Sequence, residues 1–465
     1  VPAGKSRADA TAELGLAKFA QLRYADIPES ARGAFDRLAL DFLSVVIAGL
    51  GDAECVRAAD AFGGLSRFGA NASATAFALG VCAHWFDWDD TDDESHVHGG
   101  AVIFPALLGV CAARPPAKRR DARGEFVAAA VAGYEIACRV GGHLKDHGHR
   151  GWMPTGSGGT LGAAAAAARL AGCADAEILS AMGIAGASAG ISRQALADRA
   201  NSKGVLAGIA ARTAADALAL AQRGVAGAPR FLTGAYGLCA LEGEGAPMEA
   251  PKDLGSELRI ERMSVKPYPC CRSAHAVIDG ILEFRRESPG AAASVDAIDV
   301  SAPPGVYERC GAAFRLSDNP RLSAQFSIPY TAAVALRKGS VELEDFEAPR
   351  IAGHSAQWKA LIEAVRVRRD PGCTADALAP VHLRLASDAK VVAERDVTTL
   401  KGDPGQPLTP VEQHEKLCSA GKGMLDAAQI VEAEALVRGL QHDGPHGLVR
   451  WLRAQAAARV RAVAA

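Results

Sequence analysis

Aromatic side chains are scarce in this 465-residue chain (Trp 5, Tyr 6, Phe 14), and neither charge sign dominates: 51 Lys and Arg stand against 53 Asp and Glu, a net charge of -2. With no basic stripe interleaved with aromatics, a nucleic-acid partner is not expected. No window offers the roughly 18 uninterrupted apolar residues of a membrane span, so no membrane partner is expected either. The opening VPAGKSRADATAEL lacks the charged-then-apolar pattern of a secretion signal. The eleven cysteines contain no Cys-x-x-Cys pair, and only Cys270 and Cys271 are adjacent. That excludes the spacings of structural zinc and iron–sulfur sites, and an odd count in a long chain argues against a disulfide framework. Buried free thiols in a reducing cytoplasm are the expectation. Gly156-Ser-Gly-Gly159 follows no strand and lacks a following Lys-Ser/Thr, so no nucleotide or hydride cofactor is implied.

What is present describes a mainly α protein. Apolar residues recur at helical spacing in two helices over 8–50, in a helix near Ala58–Phe77, and in Pro105–Arg114, Gly124–Val140, Asp175–Ala189 and Val205–Arg223. Period-2, β-branched strands enter only after Lys266, at 295–304, at 381–390 and in the nearby VVAERDV, with helical runs between them. The turn-rich GDPGQPLTP (402–410) then returns the chain to helices. The expected architecture is a large, discontinuous, all-helical bundle domain over 1–266 and 400–465, with a smaller inserted α+β lid domain over 267–399. Two chain crossings would join them, and the cleft between is a natural place for a site.

Three stretches carry residues capable of chemistry. HWFDWDDTDDESHVHGGAVIFP (84–105) gathers six carboxylates with His84, His96 and His98. So many charges make it either a solvated loop or the floor of a polar site. Asp87, Thr91, His96 and His98 suit acid–base work, with a carboxylate from Asp87, Asp89 or Asp90 fixing an imidazole tautomer. A metal on His96 and His98 is the lesser reading, because no third ligand stands at an expected spacing. KPYPCCRSAHAVIDG (266–280) puts Lys266, Arg272 and His275 where the two domains meet; a solvated hinge and packed thiols are the plain alternative. SRQALADRANSK leads to Lys203, which either neutralises a carboxylate or is an exposed loop lysine.

These pieces occur in a familiar order. LDFLSVVIAG (40–49), DWDDT with VHGGAVIFPALL (87–108), GYEIACR (133–139), PTGSGG (154–159), SK..LAG.AA (202–211), KPYPCCRSAH (266–275), AQFSIPY (324–330) and GDPGQPLT (402–409) resemble the MmgE/PrpD family over nearly the full length. The resemblance implies a site between a helical domain and an inserted lid in a homodimer, with neither metal nor organic cofactor. Asp87, Thr91, His98, Lys203 and His275 match the family's site positions. One position departs: the residue before Pro154, a histidine in the dehydratase and decarboxylase branches, is Met153, which cannot transfer a proton.

Family activities act on small polycarboxylates, and removing a proton beside a carboxylate builds negative charge that cations must offset. The expectation is an epimerase of an iminodisuccinate-like amino-polycarboxylate. In it His98 and Lys203 are the proton-transfer pair, His275 substitutes for either, Asp87 orients a histidine, and Lys266 and Arg272, with Thr91 and His96, hold the substrate. A dehydratase-like or decarboxylase-like lyase is the alternative, and a non-catalytic binder of the same anions the rival from outside enzymology.

Overall fold

Thirteen residues without an acidic side chain, ASATAFALGVCAH, form the Ala72–His84 helix, and eleven of them are buried. This helix packs chiefly against Gly100–Ala113 and Leu206–Ala221, with Glu29–Gly51 on a further side. Small residues set how closely these helices approach. A Cβ on Gly80 would lie 2.7 Å from the Cα of Gly208 in the crossing helix. Gly80→Val is therefore expected to destabilise the fold by about 1–3 kcal/mol through overpacking, read as a lowered denaturation midpoint.

The computed structural model describes residues 11–114, 124–148, 151–249, 257–374 and 376–464; the expected helix start near residue 8 and His149 fall outside these. It is mainly α with a smaller α+β part. The expected helix near Ala58–Phe77 is instead two, Ala53–Ala59 and Ala72–His84. Gly63 and Gly69 take positive φ between them, and the Asn71 side chain caps the second helix by accepting from Ala74 N at 3.0 Å. The apolar run after the Gly-Gly pair forms the helix Gly100–Ala113, which carries Pro105 inside it. Asn201–Ala221 has the length and mean hydropathy of a membrane span, but Lys203, Arg212 and Asp216 interrupt it and more than half of its most apolar window is buried inside the protein.

The described residues form two hydrophobic cores. One runs from Leu16 to Val265 and resumes over Leu408–Ala456; the other runs from Cys270 to Leu400. The second is built on strands β3 (Ala297–Ala302), β4 (Val365–Arg369), β5 (Val381–Ser387) and β6 (Lys390–Val397), ordered β4-β3-β5-β6, with β3 and β4 parallel and the other pairs antiparallel. Strand β4 (VRVRR) is short, and its arginines obscure the alternation. The helices His275–Glu287 and Ile328–Lys338 pack beside this sheet.

The two crossings between cores lie side by side. Val265 N donates to Gly402 O at 3.0 Å, and Gly402, at φ +89°, leaves so little room that a Cβ there would sit 2.0 Å from Val265 O. A two-stranded pairing of β1 (Thr91–Asp92) with β2 (Met263–Ser264) fixes the acidic segment against the same crossing.

Candidate active site

Asp87, Asp89, Asp90 and Asp92 of the acidic segment are buried, Asp93 is half-buried and Glu94 exposed, and each carboxylate has its own task. Asp90 accepts from Gly100 N at 2.8 Å, at the start of the Gly100–Ala113 helix, and from Tyr134 Oη at 2.8 Å. Asp92 accepts from Ser95 Oγ at 2.6 Å and closes the turn. Asp93 accepts from Ser264 Oγ, and Glu94 pairs with Arg259 and Arg262. Asp87 and His96 take positive φ (53° and 59°), rare for residues with a Cβ, so the surroundings impose the backbone here.

Two ionic clusters result. In the first, Asp87 lies between two buried lysines: Lys203 Nζ is bonded to Oδ1, while Lys266 Nζ stands 3.2 Å from Oδ2 and donates to the Asp87 carbonyl at 2.7 Å. Burial alone would raise the Asp87 carboxyl, but Lys203, Lys266 and His98 outweigh it and hold it well below the usual range. In the second, one oxygen of Asp89 faces both His84 Nδ1 (2.8 Å) and His98 Nδ1 (3.1 Å). The His84 side chain is 1% exposed and His98 is 13% exposed, so His98 is the imidazole of this pair that reaches the cavity.

The expected orienting role of Asp87 therefore passes to Asp89. Asp87 is committed to the lysines, and its neighbour two residues on fixes the histidine. A metal on His96 and His98 also fails to match the geometry. Among the described residues, the grouping close enough for one ion is His84, Asp89 and His98, and both Nδ1 atoms there turn toward the carboxylate. His96 stands apart; burial, then Arg309 and Lys145, push its imidazole down to about 3, a field hostile to a cation.

A cavity of about 1130 Å³ opens between the two cores, with Asp87, Thr91, His96, His98, Lys203 and Lys266 in its wall. Arg272 is in the wall too, but each of its three guanidinium nitrogens already has a partner. It donates to Asp93 (3.2 Å), the Lys401 carbonyl (2.8 Å) and Asp403, and so staples the second core to the acidic segment. Its expected part in holding substrate is not what the geometry shows. His275 is fully buried and absent from the cavity wall, its nitrogens 3.2 Å from Arg272 Nη1 and from the Cys270 carbonyl. Burial and the charges of Arg272 and Lys266 keep it neutral, and it supports Arg272 rather than substituting for His98.

Met153 lies in the wall, as does His147, whose Nδ1 is 2.8 Å from the His143 carbonyl. Two cavity arginines escaped the sequence reading: Arg193 sits in the polar run already noted before Lys203, and Arg309 lies in a helix with no distinguishing pattern. Cys271, read from the sequence as a packed thiol, also lines the wall and is lowered first by a hydrogen bond from Cys310, which no spacing reveals.

Burial holds the His84 imidazole down at about 4, against an ordinary value near 6.5. Between those values the unfolded chain binds a proton that the fold excludes. Stability is thus full above about pH 6.5 and falls as the pH drops toward 4, by on the order of 3 kcal/mol from His84. Denaturant unfolding at stepped pH should show this acid limb, and His84→Asn should flatten it.

The fold and the cleft define a class: a two-lobed, mainly α protein with a buried lysine–carboxylate–histidine site between its lobes. Sequence comparison gives the particular family. The MmgE/PrpD N-terminal domain matches residues 15–250 and the MmgE/PrpD C-terminal domain matches 268–440, so the chain belongs to the MmgE/PrpD family. The boundary near residue 268 falls at the first crossing, while the second, at Gly402, lies inside the C-terminal match. The chain is 26% identical over 392 residues to the cis-aconitate decarboxylase-like protein oryM of Aspergillus oryzae, covering 79% of each. It is 25% identical over 308 residues to cis-aconitate decarboxylase of Mus musculus, covering 64% of this chain and 60% of that relative.

Proposed function

We propose that this chain is a lyase of a small polycarboxylate, breaking a bond at a carbon next to a carboxylate and releasing carbon dioxide or water. Both relatives carry cis-aconitate decarboxylase in their names, which favours a lyase over an isomerase. The observation that carries the chemistry is the cavity wall itself, where His98, its Nδ1 3.1 Å from Asp89, shares one chamber with the Lys203–Asp87–Lys266 cluster.

That arrangement suits an enolate-like intermediate. In decarboxylation the electrons of the breaking carbon–carbon bond pass into the remaining conjugated acid, and a proton must then be delivered to carbon. Two lysines sharing one carboxylate leave a net positive charge to stabilise those electrons. An imidazole with Nδ1 turned to Asp89 presents Nε2 for the proton transfer. In dehydration the same nitrogen removes the proton and a second acid protonates the leaving hydroxyl.

Epimerisation keeps one specific support. Met153 lines the cavity where the family resemblance places a histidine, and an epimerase needs fewer proton donors. A panel of di- and tricarboxylates in deuterated water separates the readings. Carbon dioxide or alkene release supports the lyase, and solvent deuterium entering recovered substrate without net loss replaces it with the epimerase. Tight binding of a tricarboxylate with none of these leaves a non-catalytic binder and ends the enzyme reading.

A further inference from the structure

The cations expected to hold substrate are already occupied. Lys203 and Lys266 share Asp87, and Arg272 is spent on Asp93, Asp403 and a carbonyl. Two other guanidiniums in the same cavity wall are not. Arg193 has no side-chain hydrogen bond or ion pair among the described residues, although its backbone is fixed by donation from its N–H to Gly151 O at 2.9 Å. Arg309, in the Pro304–Cys310 helix of the second core, is aimed by Nε, which donates to Ser273 Oγ at 2.7 Å. Its Nη2 is buried with no partner.

A buried, unpartnered guanidinium nitrogen is costly unless an acceptor arrives. The nearby acids do not serve. Asp376 is 57% exposed and lies 3.6 Å from Lys145; Glu308 is 62% exposed and faces Arg369. Burial and then Arg309 lower Arg193, with Asp376, Cys271 and Glu308 acting the other way, and burial, then Arg309 and Lys145, lower His96 against Asp376 and Asp93.

We infer that Arg193 and Arg309 form a carboxylate subsite, one guanidinium from each side of the cleft, that anchors the end of the substrate remote from His98 and Lys203. The planar fork of each guanidinium matches a carboxylate's two oxygens, which a lysine does not. Because the two arginines belong to different lobes, the bound carboxylate also bridges them. This inference rests on the polycarboxylate reading above for the identity of the anion, and on the geometry for its place.

The test uses the full chain and propane-1,2,3-tricarboxylate, with its terminal monoamide as comparison, followed by calorimetry. Wild-type protein should bind the tricarboxylate about ten- to hundredfold more tightly than the monoamide. Arg309→Gln and Arg193→Gln should lose that preference and bind the two alike, and Arg309→Lys should recover part of it. With a turned-over substrate, KM should rise by a similar factor while kcat stays within a few-fold. Retention of the full preference in both glutamine variants overturns the subsite, as does failure of the wild type to bind the tricarboxylate. Wild-type binding with the expected preference but no turnover of any acid would sink the lyase reading and leave the subsite standing.

Discussion

Asp87→Asn is expected to cost the fold about 3–5 kcal/mol and to abolish turnover. The carboxylate is buried between Lys203 and Lys266, and neither ammonium has another carboxylate among its hydrogen-bond and ion-pair contacts in the described residues. Removing the negative charge leaves two buried cations facing each other, and desolvation that the pair had offset is then uncompensated. The double variant Asp87→Asn/Lys266→Met removes one of those cations. It should recover much of the lost stability without recovering activity. Urea unfolding of the three proteins decides this. A single variant as stable as wild type would mean that the cluster carries no buried charge.

His98→Gln should show the opposite pattern. The histidine is partly open to the cavity, and its backbone N–H is held by Thr155 Oγ1 at 3.0 Å whatever the side chain. Turnover should fall about 10²–10⁴-fold, with the unfolding midpoint and the affinity for a tricarboxylate unchanged. Asp89→Asn should lower turnover too, but at a cost in stability, because the negative charge bonded to His84 Nδ1 and standing 3.1 Å from His98 Nδ1 is lost. Turnover of His98→Gln within tenfold of wild type would remove this residue from the proton-transfer role.

Family membership and the mainly α architecture were legible in the chain because they depend on pattern. Helical periodicity, strands delayed until after Lys266 and motifs in order survive without any contact being known. Short elements were harder to see. The two-residue pairing of Thr91–Asp92 with Met263–Ser264 has no periodicity to detect, yet it holds the acidic segment in place.

The allocation of charges was not legible. Asp87 and Asp89 are two residues apart in a run of acids, and nothing local says which meets a lysine and which an imidazole. Arg272 was expected to hold substrate and is consumed by Asp93 and Asp403; Arg193 and Arg309 were passed over and face the cavity with capacity to spare. Sequence by itself determined which chemical groups the site draws on, since composition and motif order are properties of the chain. Tertiary structure alone decided which of them are already neutralised. That depends on partners 116 residues apart for Lys203 and Asp87, or 131 for Arg272 and Asp403, brought within bonding distance only when the two cores close on the same segment.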